Sequence, residues 1–178
     1  MHIAFEDAGA YAEWVGKSLP TEAQWEVAAR GGLDGAAYVW GDEFTPGGRH
    51  MANTWQGDFP HENQAQDGFE RTSPVGAFPP NGYGLFDMAG NVWEWTVDEY
   101  RPMRSPQGGA CCTVARGRPG EIPQKVVKGG SHLCAPNYCL RYRPAARQGQ
   151  AVDTATSHLG FRCVRREPGG EQPRGSND

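Results

Sequence analysis

From Gly41 to Gly82 the chain shows neither the 3.6-residue period of an amphipathic helix nor the alternation of a half-buried strand. This stretch is polar, rich in glycine and proline, and studded with aromatic residues. So long an irregular segment inside a compact domain has to be held by something other than a regular hydrogen-bond ladder, and a bound ion is one candidate. With 25 glycines and 14 prolines spread through turn signals rather than a repeat, the 178-residue chain reads as many ordered loops around one core. Its length suits one domain, and a domain of about 150 residues buries roughly 70% of its unfolded-chain surface, enough to manage without disulfides.

Regular elements are expected on either side of that segment. Phe5 to Val15 reads as a helix, with Phe5, Ala8, Ala12 and Val15 on one face and Tyr11 and Trp14 beside them. In "LPTEAQWEVAARGG", Thr21 and Gln24 form a capping box, Ala23, Trp25, Val27 and Ala28 give an apolar side, and Gly31-Gly32 end the helix. "AYVWGDEF" suggests a short strand and a turn. Trp93, Trp95 and Val97 alternate as in a strand, and Val126-Val127 and Phe161–Val164 read as short core strands. "RPMRSPQGGACC" reads as a loop. The tail from Glu167 is polar and expected to be disordered, leaving residues 1–166 as the domain. The fold class is therefore α+β, a loop-rich single domain.

The formal net charge of -4 gives no electrostatic basis for nucleic-acid binding. No stretch approaches the roughly 18 apolar residues of a membrane span, and the N-terminus carries no signal-peptide pattern. The five cysteines are Cys111, Cys112, Cys134, Cys139 and Cys163. An odd count fits poorly with a fully paired secreted framework. Cys134 and Cys139 stand out, set in "GGSHLCAPNYCLRYR" between a glycine pair and two arginines. A disulfide, a metal clamp or a reactive thiol pair would each suit that spacing. Arg141 and Arg143 are near enough in sequence to favour thiolates. His132 reads as a packing or solvent histidine, Cys163 as a core cysteine, and the vicinal Cys111-Cys112 as incidental.

Oxygen-bearing side chains cluster in two loop segments: Asn53, Asp58, Glu62, Asn63 and Asp67 in the first, Asp87, Asn91 and Glu94 in the second. Ca²⁺ takes six to eight such oxygens, backbone carbonyls included. Spacing alone is weak support, since acidic loop residues are usually solvated, and neither segment matches an EF-hand.

Several segments in order, "LPTEAQWEVAARGG", "YVWGDE", "ANTWQGDFP", "DGFERTSPVGAFPPNGYGLFDMAGNVWEWT", "VVKGGSHLC…YCLRYRPAAR" and "LGFRCV", resemble the formylglycine-generating enzyme family, or sulfatase-modifying factors, over Ile3 to Val164. "NGYGLFDMAGNVWEW" and "GFRCV" mark the wider superfamily, while the cysteine pair at this spacing marks its catalytic members. The resemblance implies an irregular α+β fold related to C-type lectins. It implies oxidation, by O₂, of the cysteine in a Cys-x-Pro-x-Arg segment of an unfolded sulfatase to Cα-formylglycine. It places Cys134 and Cys139 on the Cu(I)-binding pair, and Ser131 and Trp93 near the reactive centre. It places Asn53, Thr54, Asp67 and Phe69 on one structural Ca²⁺ site, and Asp87, Gly90, Val92 and Glu94 on another, with Thr54, Phe69, Gly90 and Val92 giving carbonyls. Cu(I) suits the chemistry, because thiolates are soft ligands that select it over harder ions.

The sequence also departs from the family. Alanines in "WEVAARGG" and Pro144 stand where some animal members carry bridging cysteines, which implies a disulfide-free domain of bacterial type, with a cytoplasmic location expected. The protein is separately expected to be a monomer. Catalytic members carry a substantial stretch before the point where this chain begins, so a fragment, a misassigned start and a natural short form all remain open. The loss of that stretch would expose strand edges and apolar surface. Two further readings stay in view. One is a non-catalytic, lectin-like binding relative, which would lack the cysteine pair. The other is a thiol-imidazole biosynthetic enzyme, which needs a histidine-rich partner domain that this sequence does not contain.

Overall fold

A computed structural model describes residues 1–101, 120 and 122–165. Cys111, Cys112 and the tail from 167 lie outside the described residues.

The chain opens with helix α1, Phe5–Trp14, which buries Ala8 and Ala12. Its aromatic flank faces outward: Tyr11 is half exposed, packing against Trp14 and Phe161, and Trp14 is 81% exposed. Helix α2, Glu22–Arg30, starts with the expected capping box. Thr21 Oγ1 accepts from the Gln24 N–H, and the Gln24 side chain accepts from the Thr21 N–H. It ends at Gly31 in the left-handed region. Its buried face is Trp25 and Ala29, so Ala23 and Val27 are corrected to exposed positions. The carbonyls of Ala28 and Ala29 at the helix end accept from Asn81 Nδ2 at 2.7 and 3.1 Å, filling acceptors the helix cannot satisfy itself.

Four strands form one sheet in the order β3-β2-β1-β4. They are β1 Trp93–Glu99, β2 Gln124–Lys128, β3 Gln148–Ala151 and β4 Leu159–Gly160. β1 pairs antiparallel with β2 and parallel with β4, and β2 pairs antiparallel with β3. The first half of β1 is buried on both faces: Trp93 and Trp95 join the apolar core, while Glu94 and Thr96 are buried opposite them. The last strand is Leu159–Gly160 rather than Phe161–Val164, and only Val164 of the expected segment bridges elsewhere, to Ser18. "AYVWGDEF" makes a single bridge between Tyr38 and Gly41 instead of a strand. The segment from Gly41 to Gly82 is irregular apart from one 3-10 turn at Pro46–Gly48.

The polar face of β1 is fastened by charge. Glu94, almost fully buried, accepts from the Trp25 indole N–H at 2.6 Å and from Arg162 Nε and Nη2 at 2.5 and 2.7 Å. Arg162 Nη2 also donates to the carbonyls of Phe86 and Asp87. One guanidinium therefore joins β1, α2 and the loop before β1. Lys128, fully buried at the end of β2, pairs with Glu26 at 3.2 Å and Glu22 at 3.7 Å, drawing α2 onto the sheet.

Removing one partner of a buried ion pair leaves an uncompensated charge. Arg162→Met should lower the unfolding free energy by about 3–5 kcal/mol in urea denaturation. The double variant Glu94→Gln/Arg162→Met should lose clearly less. Equal losses in the two proteins would contradict this account.

Candidate active site

Three irregular segments meet at the start of β1, and backbone hydrogen bonds join them. Asn91 N–H donates to the Asn53 carbonyl (2.8 Å), His132 N–H to the Asn91 carbonyl (3.0 Å) and Gly90 N–H to the Gly129 carbonyl (2.8 Å). Gly90, at φ +71°, needs to be glycine, because a Cβ there would run into the Asn53 carbonyl. The Asn91 side chain pairs with the backbone of Ser73, accepting from its N–H and donating to its carbonyl.

Beyond β2, Gly129 and Gly130 turn the chain into the cysteine segment. Gly130 is also left-handed, and a Cβ there would meet the Tyr142 backbone N at 2.9 Å. This close approach folds 131–134 against 139–142. Ser131 is buried. Its carbonyl accepts from the Cys134 N–H (2.9 Å), and its hydroxyl lies 3.3 Å from the Leu133 N–H. Cys134 is 2% exposed and its carbonyl accepts from the Trp55 N–H (3.1 Å). The Tyr138 and Cys139 N–H groups both donate to the Ala135 carbonyl, closing one helical turn that returns Cys139, half-buried, to face Cys134. The two sulfurs lie 2.7 Å apart, longer than a disulfide bond of about 2.05 Å, and both cysteines are free.

The two thiols sit in unlike surroundings. The hydrogen bond from Cys134 stabilises the Cys139 thiolate and, against the opposing effect of burial, the Arg141 N–H and guanidinium help to lower the thiol to about 6. Cys134 shifts the other way, raised by that same hydrogen bond and by its burial. Arg143 does not take part, as its guanidinium lies over the Tyr38 ring. His132 is buried with Nδ1 3.0 Å from the Asn91 carbonyl, and burial holds it below the ordinary histidine range, as it does His158 beside it. Both are packing histidines. Trp93 belongs to the core cluster that contains Cys134 and Tyr142, with its N–H donating to the His158 carbonyl. Cys163 is free and packs against the same core, partly exposed.

A groove of about 440 Å³ opens at the turn between the two cysteines, lined by Trp55, Gln56, Gly57, Asp58, Pro136 and Asn137. Sequence reasoning missed this groove, because its walls are about eighty residues apart and nothing local marks their meeting.

The two oxygen-rich segments fare differently. In the first, Asp67 Oδ2 accepts from the Thr54 N–H (3.0 Å) and from Gln56 Nε2 (2.8 Å), and Asp67 Oδ1 from the Phe69 N–H. Gln56 Nε2 also rests against the Thr54 carbonyl. Asn53 Oδ1 is buried without a partner, although Asn53 Nδ2 donates to the Arg71 carbonyl. An orphaned buried amide oxygen, one residue from Thr54 whose N–H is tied to the Asp67 carboxylate, suits a hard cation. In the second, the carboxylates turn to different partners. Asp87 Oδ2 accepts from the Gly76 N–H, while Glu94 is taken up by Trp25 and Arg162. Gly90 and Val92 lie in the turn between them. A guanidinium against Glu94 and the Asp87 carbonyl does not suit a second cation. Among the described residues, no three His, Cys, Asp or Glu side chains converge as a metal site.

A free thiol pair, one member buried and the other half-buried, in a loop-rich α+β domain is the class of centre that fold and site define. The chain belongs to the sulfatase-modifying factor enzyme 1-like domain family, which matches residues 1–167. It is 56% identical to a formylglycine-generating enzyme of Mycobacterium tuberculosis over 92% of this chain and 56% of that protein. It is 44% identical to an inactive Cα-formylglycine-generating enzyme 2 of Mus musculus, over 92% of this chain and 48% of that one. The structure of PvdO from Pseudomonas aeruginosa superposes with a TM-score of 0.67 at 27% identity, over 90% of this chain and 59% of that one. The chain thus spans about half the length of the curated relatives it matches. Among the described residues, no helix is long and apolar enough to cross a membrane.

In the metal-free, reduced protein, iodoacetamide should modify Cys139 first, with a rate that rises as pH passes through about 6. Cys134 should resist until alkaline pH. Peptide mapping separates the two, and equal rates would contradict the asymmetry.

Proposed function

We propose that the chain carries the centre of a copper-dependent oxidase that converts the cysteine of a Cys-x-Pro-x-Arg segment in an unfolded sulfatase to Cα-formylglycine. The facing Cys134 and Cys139 sulfurs support this reading above all. The family and the 56% identical relative named as a formylglycine-generating enzyme agree with it. The match to an inactive relative supports the alternative, a binding module of the same fold or an inactive fragment. The free thiol pair favours the oxidase.

The donor set fits the ion: two sulfurs in a largely buried setting suit Cu(I). Cys134 and Cys139 would hold it, and when bound it would supply the one-electron and O₂ chemistry that thiols alone lack. The rest falls to this chain's residues. Cys139 enters already disposed to the thiolate, and Arg141 offsets its charge. Ser131 and the Trp55 N–H fix Cys134. Trp93 keeps the core beneath the pair closed to water. The reaction balances when the substrate cysteine and O₂ take two electrons and two protons from a thiol reductant, giving the aldehyde, hydrogen sulfide and water.

The test loads the chain with Cu(I), adds a Cys-x-Pro-x-Arg peptide, O₂ and a thiol reductant, and follows conversion of cysteine to aldehyde by mass spectrometry. Conversion is expected, and Cys134→Ser and Cys139→Ser should each abolish it together with Cu(I) binding. Absence of both conversion and Cu(I) binding would overturn the assignment and favour the binding-module reading.

The first oxygen cluster is proposed as a structural Ca²⁺ site, with Asn53 Oδ1, the Thr54 and Phe69 carbonyls and the Asp67 carboxylate as ligands. Nothing is assigned to a second ion at Asp87, Gly90, Val92 and Glu94, because Arg162 already neutralises that carboxylate. Calcium should raise Tm, and Asp67→Asn or Asn53→Leu should remove the rise. An unchanged Tm in calcium and in EGTA would overturn the site.

A further inference from the structure

We propose that Asp58–Asn137 and Phe59–Tyr138 form a strap that sets the approach of Cys139 to Cys134, making these side chains positioning residues for the thiol pair. The two cysteines are held unequally. Cys134 is buried in the core and anchored at both backbone polar groups, its N–H on the Ser131 carbonyl and its carbonyl on the Trp55 N–H. Cys139 follows a single turn, Pro136–Tyr138, whose side chains are exposed. Only the Ala135 carbonyl holds that turn from within.

Two contacts reach it from the far wall of the groove. Asn137 Nδ2 donates to Asp58 Oδ1 at 2.9 Å. One residue along on each side, the Tyr138 and Phe59 rings stack, with centroids 4.5 Å apart and planes 23° apart. Phe59 is braced in turn by an edge contact to Trp55, centroids 5.1 Å apart, and Trp55 carries the N–H that anchors Cys134. The circuit therefore closes: Cys134, Trp55, Phe59, Tyr138, Cys139. Tyr138 is 65% exposed although it sits directly before a half-buried cysteine. Its ring contributes little to the core, so its stack on Phe59 acts mainly on where the turn sits. Asp58 and Asn137 line the groove, so their contact is within reach of whatever binds there.

A fixed turn raises the effective concentration of one thiol at the other, and small displacements cost that advantage steeply. Thiol–disulfide exchange reads it directly and needs no metal, so its outcome is separate from that of the copper assignment. In exchange with glutathione, the two thiols lose two electrons and two protons to one glutathione disulfide, forming the Cys134–Cys139 bond and two glutathione thiols.

The experiment equilibrates the reduced, metal-free chain with glutathione redox mixtures and measures the Cys134–Cys139 disulfide by differential alkylation and peptide mapping, with Tm alongside. Asp58→Ala and Tyr138→Ala should each lower the exchange equilibrium constant by roughly tenfold with Tm little changed. Asp58→Asn keeps an acceptor oxygen for Asn137, and Tyr138→Phe keeps the stacked ring. Both should stay within about twofold of the parent. Alanine variants that match the parent would overturn the strap. So would conservative variants that fall as far as the alanines.

Discussion

Asn91 is the point on which the irregular half of the structure depends. Its N–H is given to Asn53, its carbonyl takes the His132 N–H, and its side chain pairs with both backbone groups of Ser73. One residue thus stands in for a strand, satisfying donors and acceptors that loops would otherwise leave buried and unpaired. It does so at φ +61°, where asparagine is among the few side chains at ease. Gly90 beside it removes the Cβ that would block Asn53. Because 131–134 hangs from this junction and 53–55 passes through it, the thiol pair and the first oxygen cluster share one foundation.

The local features were legible in the sequence because their partners are local. The capping box at Thr21 and Gln24 involves one turn of chain, and the Trp93–Trp95 alternation reports the core side of β1, although Val97, the next residue in that alternation, is 38% exposed. β3 was not legible: "QGQA" has no alternation, and its residues are in a strand only because β2 presents Gln124 to Val127 opposite them. β4 was placed two residues late for a similar reason, since Trp93 and Glu94 choose Leu159 and Gly160 as parallel partners. The buried face of α2 differs from the expected one at Ala23 and Val27. Val27 is 62% exposed, and the room beneath α2 goes to Trp25 and the carboxylates that hold Lys128.

At the site, adjacency carried most of the reading. Cys134, Cys139 and Ser131 lie within nine positions, so one turn and one loop suffice to gather them. Side-chain direction was not legible. Arg141 and Arg143 are equivalent in the sequence, yet the N–H and charge of Arg141 act on Cys139 while the Arg143 guanidinium lies over the Tyr38 ring. Long-range neutralisation was hidden as well. Nothing near Glu94 in the sequence announces that Arg162 will occupy it.

The asymmetry of the thiols follows from position rather than from any difference in kind. Cys134 is enclosed by the core and its ionised form is costly there. Cys139 is half-buried, next to Arg141, and follows the turn whose Pro136 and Asn137 line the groove. A molecule approaching from solvent therefore meets Cys139, Asn137 and Tyr138 before it meets Cys134. If a third sulfur joins the pair, as the copper reading requires, its route is along the wall formed by residues 55–58 and 136–137. The contacts proposed above as a strap cross this wall, so on that reading occupancy of the groove and the spacing of the sulfurs are mechanically linked.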